Sequence, residues 1–143
     1  MSDQNQPASF TKVDVTAVAE SAARVRNEFS HWLHGNLTLD SVKASDVLLA
    51  VNEALANAAE FAYVDFSQPG VMHLHADYDR SAAILTVTIA DQGNWRSCEP
   101  PINDPARGRG IPLMRALSDR AVIDSSSAGT QVQLQWHHIS GPL

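Results

Sequence analysis

Two kinds of hydrophobic periodicity follow one another along this 143-residue chain, and their order restricts its fold. Helical spacing comes first, over residues 16–34 and again from Asp40 or Ser41 to Tyr63. Strand-like alternation follows in two pairs of segments, which are separated by a proline-rich loop and one short helix. Helices ahead of strands predict an α+β fold, a two-layer sandwich in which helices cover one face of a mostly antiparallel sheet.

The alternating segments define the expected strands. A turn at residues 79–81 joins the first pair, and a turn at residues 125–129 joins the second pair, which a helix over residues 110–119 precedes. A short edge strand is expected around Phe10, Val13 and Val15. The apolar positions of the later strands are Met72, Leu74, Ala76, Tyr78, Leu85, Val87, Ile89, Val132, Leu134 and Trp136. The solvent face of the last strand is marked by Gln131, Gln133 and Gln135.

The length and composition predict one domain. An apolar fraction of 44% is enough for an ordinary core, so residues 10–143 are expected to form the domain and residues 1–9 a flexible tail. No apolar run is long enough to span a membrane, and the N-terminus lacks the basic-then-apolar order of a signal peptide. The lone Cys98 cannot form an internal disulfide. A cytoplasmic protein is therefore expected.

The charge distribution favours a small anionic ligand. A net charge of −6 argues against a general nucleic-acid binder. Five arginines nevertheless fall between residues 96 and 120, where only three acidic residues oppose them. A locally basic segment on an acidic protein suits a small anion better than a long polyanion. The alternative is a solvated surface with cations near a helix C-terminus.

Glu53 and Asn57 lie four residues apart in the second helix, so they share one face at about 5–6 Å. The Asn57 amide oxygen is a suitable neutral ligand for Mg²⁺. A Glu53 carboxylate one turn away can take a proton from a hydroxyl that attacks a metal-bound phosphate. The alternative is an ordinary amphipathic helix whose polar stripe, continued by Asp46 and Glu60, faces solvent.

Two signatures at strand ends suit a nucleotide base. Asp91 ends a strand, where its carboxylate can accept a hydrogen bond from the exocyclic amine of adenine, and Gly93 lets the ring approach the backbone. Gly129 and Thr130 begin the last strand, where the hydroxyl can line a base pocket. The alternatives are an ordinary turn after a strand and a hairpin turn.

The remaining signature suits phosphates. Gly108, Arg109 and Gly110 precede the short helix, whose free N–H groups and positive dipole end can bind an anion. The guanidinium group of Arg109 adds a positive charge and several N–H donors for the same anion. The alternative is a flexible hinge after the proline-rich loop. The glycines lack the strand–turn–helix context of a dinucleotide fingerprint, and neither Lys12 nor Lys43 follows a glycine as in a Walker A motif.

The histidines do not indicate a metal centre. His73 and His75 would share one strand face, but no third ligand is apparent, so both are expected to face solvent. His31 is followed by Trp32 rather than by an acidic residue, so it does not read as a phosphoacceptor.

The order Glu-x-x-x-Asn, Asp-x-Gly, Gly-x-Gly, Gly-Thr resembles the Bergerat-fold (GHKL) ATPases, which include type II topoisomerases, histidine kinases and mismatch-repair ATPases. Within that group the chain is similar to the stand-alone serine/threonine kinases that act as bacterial anti-sigma factors, above all in its length and in the phrase GRGIPLMRALSDR. The resemblance covers residues 12–137 and implies one histidine-kinase-like ATPase domain over residues 10–143.

For the site, the resemblance implies ATP and Mg²⁺ as cofactors. Asn57 would hold Mg²⁺ and Glu53 would be the catalytic base. The loop over residues 92–107 would be the lid over ATP. The other nucleotide-binding residues would be Asp91 and Gly93 at the adenine, Gly108, Arg109 and Gly110 at the phosphates, and Thr130 in the base pocket.

The resemblance also implies partners. Such kinases bind a sigma factor and phosphorylate a serine of a small anti-anti-sigma protein, which then releases them. They regulate transcription without direct contact to nucleic acid, they need no membrane, and they often form homodimers.

Three departures from the family pattern leave other hypotheses open. Trp95 replaces the second glycine of the adenine box, Phe61 stands where many relatives carry His, and the lid is rich in proline. The second hypothesis is a non-catalytic nucleotide-binding module that sequesters a regulator. A third is the kinase domain of a larger signalling protein, and the missing phosphoacceptor disfavours a histidine kinase.

Overall fold

The structure is a computed structural model that describes residues 8–60, 62–63, 66–93 and 110–141. The elements in these ranges are, in chain order, β1 (Ala8–Thr16), α1 (Ala19–Asn36), α2 (Ser41–Glu60), β2 (Val71–Asp79), β3 (Ile84–Asp91), α3 (Gly110–Leu117), β4 (Arg120–Ser126) and β5 (Gly129–Trp136). The strands form one sheet in the order β1-β2-β3-β5-β4, and each neighbouring pair is antiparallel. Residues 1–7 of the predicted tail over residues 1–9 lie outside the described residues, and residues 8 and 9 belong to β1, which begins ahead of the expected domain start at residue 10.

The helices cover one face of the sheet, as the sequence predicts. Every second side chain of β2, β3 and β5 is buried, and these positions are the apolar ones expected from the alternation together with Asp91 and Thr130. The core between the layers includes Phe29, Leu33, Val47, Val51, Leu74, Val87, Leu134 and Trp136, each at most 1% exposed. The two-layer α+β architecture is therefore confirmed. Among the helices that the structure describes, none has the length and apolar character that a bilayer crossing requires.

The start of each long helix has a local cause. Asp40 caps α2, because its Oδ1 accepts the Lys43 N–H at 2.7 Å. α1 begins three residues after the predicted residue 16, because Thr16 completes β1 and the Ala17 N–H donates to the Gly70 carbonyl at 2.9 Å. Sheet pairing therefore overrides helical periodicity at this point.

The short helix α3 ends at Leu117, two residues before the predicted end at Asp119. Two side chains satisfy its last carbonyls, which would otherwise lack partners. The Ser118 hydroxyl donates to the Met114 carbonyl at 2.6 Å, and the Trp136 indole N–H donates to the Leu117 carbonyl at 2.7 Å.

The predicted edge strand exists, but a bulge interrupts it. The pairing with β2 shifts between Lys12 and Val15, where β1 contains one extra residue. Asp14 adopts a φ of 56° in the bulge, and its N–H donates to His73 Nδ1 at 3.0 Å. The extra residue returns Val15 to the face of Phe10, opposite the buried Met72, while Val13 lies on the other face and is 62% exposed.

The turn between β2 and β3 is organised by Asp79. Its Oδ1 accepts hydrogen bonds from the N–H and hydroxyl of Ser81 and from the N–H of Ala82. These bonds, the Ser81 hydroxyl foremost, hold the pKa of Asp79 below its ordinary value. The pKa of Asp79 is lower in the folded chain than in the unfolded chain, so these hydrogen bonds stabilise the fold at neutral pH. That stabilisation is lost as the pH falls through the pKa of the folded chain.

Candidate functional site

Buried polar side chains mark the site. In the part of the chain that the structure describes, four polar side chains are buried, namely Ser21, Asn57, Asp91 and Thr130. Three of these four are residues that the sequence motifs single out. Burying a polar group costs about 1–3 kcal/mol when it lacks a partner, so such a concentration points to a built binding site.

Helix α2 carries a buried Asn57 and, one turn earlier, a half-buried Glu53. The helix packs on the sheet through small side chains such as Ala54 and Ala58, both fully buried. Asn57 is 8% exposed, and none of the described residues hydrogen-bonds its amide. The polar stripe of α2 is therefore partly internal, rather than the solvated face of an ordinary amphipathic helix.

Asp91 closes β3 on the same, helix-covered face of the sheet. It is 6% exposed, and its Oδ1 accepts the Gly93 N–H at 3.0 Å. Gly93 is buried, and a Cβ at this position would overlap the carbonyl oxygen of Ala62, just beyond α2. The sequence argument assigned the small size of Gly93 to the approach of a ring, which stays a prediction, and the structure adds a second requirement, because the Ala62 backbone lies where a Cβ would point.

Thr130 faces Asp91 across the β3–β5 ladder. The two residues are direct register partners, and Thr130 is 3% exposed. Its hydroxyl lies 3.1 Å from the Ser125 hydroxyl on β4. Gly129 precedes it at a φ of 140°, and a Cβ there would overlap the Asp91 carbonyl oxygen. The close approach of the two strands therefore requires glycine.

Gly110 is the first residue of α3, as expected for an anion-binding helix start. The helix contacts α2 and β4, and its Met114 is fully buried. Helix α3 therefore packs against α2, the helix that contains Glu53 and Asn57.

Several predicted features lie outside the described residues. They are Phe61, most of the lid over residues 92–107 with Trp95 and Cys98, and the phosphate-binding residues Gly108 and Arg109. Their roles stay predictions.

Sequence reasoning missed Tyr63. Its hydroxyl accepts the Gln92 N–H at 2.9 Å and donates to the Val71 carbonyl at 2.6 Å, which ties the end of the α2 region to the end of β3. The available signal was a tyrosine that ends the helical pattern shortly before Gly70, but the pattern assigned it to the helix.

Comparisons with known proteins identify the family and the fold. Residues 15–136 match the model of the histidine kinase-like ATPase domain family. The crystal structure of the RsbU and RsbW domains of Rv1364c from Mycobacterium tuberculosis is similar to this chain with a TM-score of 0.68 and 23% identity, over 96% of this chain and 33% of that one. The histidine kinase domain of the blue-light activated kinase EL346 from Erythrobacter litoralis matches with a TM-score of 0.54 and 22% identity, over 82% of this chain and 59% of that one.

These likenesses, at such identities, concern the fold. The chain spans between a third and three fifths of the solved chains it matches in these two structures. No curated protein matches it. The family model covers most of the chain and includes the elements that carry Glu53, Asn57, Asp91 and Thr130. The chain belongs to the histidine kinase-like ATPase domain family.

Proposed function

We propose that this protein is an ATP- and Mg²⁺-dependent serine/threonine-protein kinase that acts as an anti-sigma factor in a partner-switching pathway. Its substrate is a serine of a small anti-anti-sigma protein. The observation that carries the nucleotide part of the proposal is the Asn57 amide, which is 8% exposed and has no hydrogen-bond partner among the described residues.

A ligand that binds the amide of Asn57 would explain why this buried group has no hydrogen-bond partner among the described residues. Because Mg²⁺ prefers oxygen ligands and keeps waters and phosphate oxygens in its shell, the amide oxygen of Asn57 fits such an ion. The ion would neutralise charge on the phosphates of ATP. The half-buried Glu53 on the same helix face supplies the general base.

The base and phosphates of ATP have separate supports. The Asp91 carboxylate accepts a hydrogen bond from the exocyclic amine of adenine. The Thr130 hydroxyl completes the pocket, because Thr130 and Asp91 are cross-strand partners on the buried face. The phosphates lie at the N-terminal end of α3, at Gly110, where unpaired N–H groups and the helix dipole favour negative charge. Gly108 and Arg109 complete this part of the proposal, with Gly93 beside the base.

In the chemical step, Glu53 takes the proton of the serine hydroxyl as its oxygen attacks the γ-phosphorus of ATP. The new P–O bond to serine forms while the bond to the β-phosphate oxygen breaks, and ADP leaves. Because Glu53 is only half-buried, its carboxylate can lie close to the phosphates and still be reached by the serine of a protein substrate.

The partners follow from the same proposal. One solved structure with this fold contains an RsbW domain, and its name motivates the assignment to the anti-sigma kinases. We therefore propose a sigma factor and an anti-anti-sigma protein as partners, a homodimer as the assembly, and the cytoplasm as the location.

A second candidate is a non-catalytic nucleotide-binding module, which Trp95 in the adenine box favours. A third, the kinase domain of a larger signalling protein, is favoured by the coverage of the RsbU and RsbW chain, of which this chain spans 33%. Transfer of phosphate to serine separates the second from the kinase proposal.

Asn57→Ala tests the nucleotide site. We expect the affinity for ATP with Mg²⁺ to fall at least about 100-fold and its dependence on Mg²⁺ to disappear, because a direct ligand is removed. The free energy of unfolding of the ligand-free variant should stay within about 1 kcal/mol of the wild type, since the lost amide had no partner. Calorimetric titration with ATP, with and without Mg²⁺, and thermal unfolding measure both quantities.

Asn52→Ala is the matched control. Asn52 lies on the same helix and is half-buried, but its Oδ1 accepts a hydrogen bond from Arg26 at 3.2 Å. This variant should keep Mg²⁺-dependent binding. Unchanged ATP affinity in Asn57→Ala would overturn the proposed site.

A further inference from the structure

We propose that Tyr63 is a positioning residue of the adenine pocket, whose hydroxyl interrupts the β2–β3 ladder and sets the path of the chain beyond Asp91. The inference rests on the proposed function, because it assigns the end of β3 to the base of ATP. Tyr63 belongs to none of the four sequence signatures, and its ring is 9% exposed.

The hydroxyl stands in place of a rung of the ladder. The register of β2 and β3 runs to the pair Met72 and Asp91, so its continuation would join Val71 to Gln92 directly. Instead, the Tyr63 oxygen lies between them, donating to the Val71 carbonyl at 2.6 Å and accepting the Gln92 N–H at 2.9 Å. Inserting an oxygen separates the two backbones at this point, so the chain leaves the sheet immediately after Asp91.

The ring of Tyr63 is held in place on two sides. A Cβ at Gly70 would overlap the ring, so the backbone there packs directly on it. Phe66 contacts the ring edge-on, with 5.1 Å between the centroids and an interplanar angle of 80°. The hydroxyl therefore has a defined position that packing, rather than its own hydrogen bonds alone, maintains.

A second contact joins the same segments. Ala62, the neighbour of Tyr63, places its carbonyl oxygen where a Cβ of Gly93 would lie. Gln92 and Gly93 are thus held by consecutive residues, and the Gly93 N–H in turn bonds Asp91 Oδ1 at 3.0 Å. Tyr63 consequently acts on the adenine through Asp91 and Gly93, and not by contact with the phosphates.

Tyr63→Phe removes the inserted oxygen and keeps the ring. The Gln92 N–H then lacks an acceptor, so the turn at residues 91–93 loses the hydrogen bond that fixes its path. We expect the affinity for ATP with Mg²⁺ to fall about 10-fold, as for the loss of one hydrogen bond, while the affinity for GTP and for inorganic tripolyphosphate changes less than about 2-fold. The preference for ATP over GTP therefore falls about 10-fold.

Tyr78→Phe is the matched control. Tyr78 is 2% exposed, and its hydroxyl donates to the Ile139 carbonyl at 2.6 Å. Tyr78→Phe loses one buried hydrogen bond, and Tyr63→Phe loses two part-buried ones. Tyr78 lies on the same strand as Val71, at the opposite end of β2. Tyr78→Phe should retain the preference of the wild type for ATP over GTP. If general destabilisation caused the loss of preference, both variants would show it.

The decisive measurement is calorimetric titration of the wild type, Tyr63→Phe and Tyr78→Phe with the three ligands. Unchanged ATP preference in Tyr63→Phe, beside normal Mg²⁺-dependent binding by the wild type, overturns this inference and leaves the proposed function intact. A wild type that binds no ATP overturns the proposed function and the inference with it.

Amide hydrogen exchange gives a second readout that needs no ligand. Tyr63→Phe should speed exchange at Gln92 by at least about 10-fold, whereas Tyr78→Phe should not. If Tyr63→Phe does not fold, Gly70→Ala replaces it, because its Cβ displaces the ring while the hydroxyl is retained. The same selective loss of ATP preference is expected, and its absence contradicts the role of Tyr63.

Discussion

Replacement of Glu53 by Gln is expected to lower the rate of phosphate transfer from ATP to serine by about 10²–10⁴-fold, because a positioned general base contributes that much. The affinity for ATP with Mg²⁺ should change less than about 3-fold, since Gln keeps the size and polarity of the half-buried side chain. A reduced rate at unchanged affinity separates a catalytic residue from a binding residue such as Asn57.

The assay follows labelled γ-phosphate into the proposed substrate, a small anti-anti-sigma protein, and uses a version with its serine replaced by Ala as a blank. Glu60→Gln is the matched control, because Glu60 lies two turns further along the same helix stripe and is exposed. It should transfer phosphate like the wild type. Equal rates in Glu53→Gln and the wild type would refute the role of Glu53. A wild type that binds ATP tightly but transfers nothing would favour the non-catalytic module.

Gly129→Ala is expected to lower the free energy of unfolding by about 3 kcal/mol and the midpoint of thermal unfolding by roughly 10 °C. Two causes act together. The φ of 140° is strained for any residue with a Cβ, and the added methyl would overlap the Asp91 carbonyl oxygen on the neighbouring strand. Relief of that overlap must separate β5 from β3 beside Thr130.

Gly35→Ala is the matched control for this change. Gly35 lies in the last turn of α1, and a Cβ there meets no atom within 4 Å. It should be neutral or stabilising by about 0.5–1 kcal/mol, because glycine is a poor helix former. Thermal unfolding of both variants without nucleotide measures the difference. A Gly129→Ala protein as stable as Gly35→Ala would contradict the close strand approach.

The sequence predicted most elements of the fold because its periodicities are local. Alternation in β2, β3 and β5 placed the correct side chains on the buried face. It did not show the bulge in β1, which returns Val15 to the face of Phe10. It also extended α2 to Tyr63, whereas the helix ends at Glu60. Both differences arise where contacts with distant residues outweigh local preference.

The site was predicted less completely than the fold. The motifs singled out Asn57, Asp91 and Thr130, and all three are buried polar residues. They did not show the packing requirement at Gly93, whose missing side chain makes room for the Ala62 carbonyl. They also omitted Tyr63, because a hydroxyl that substitutes for a ladder bond leaves no spacing signature.

The sequence alone determined which segments become helices and strands, and which residue types recur at the spacing of a nucleotide site, because both are properties of neighbouring positions. Only the tertiary structure decided that these polar groups lose contact with water and that Tyr63 bonds Gln92, 29 positions away. Such contacts depend on how the helical layer and the sheet pack together, and no local pattern encodes that distance.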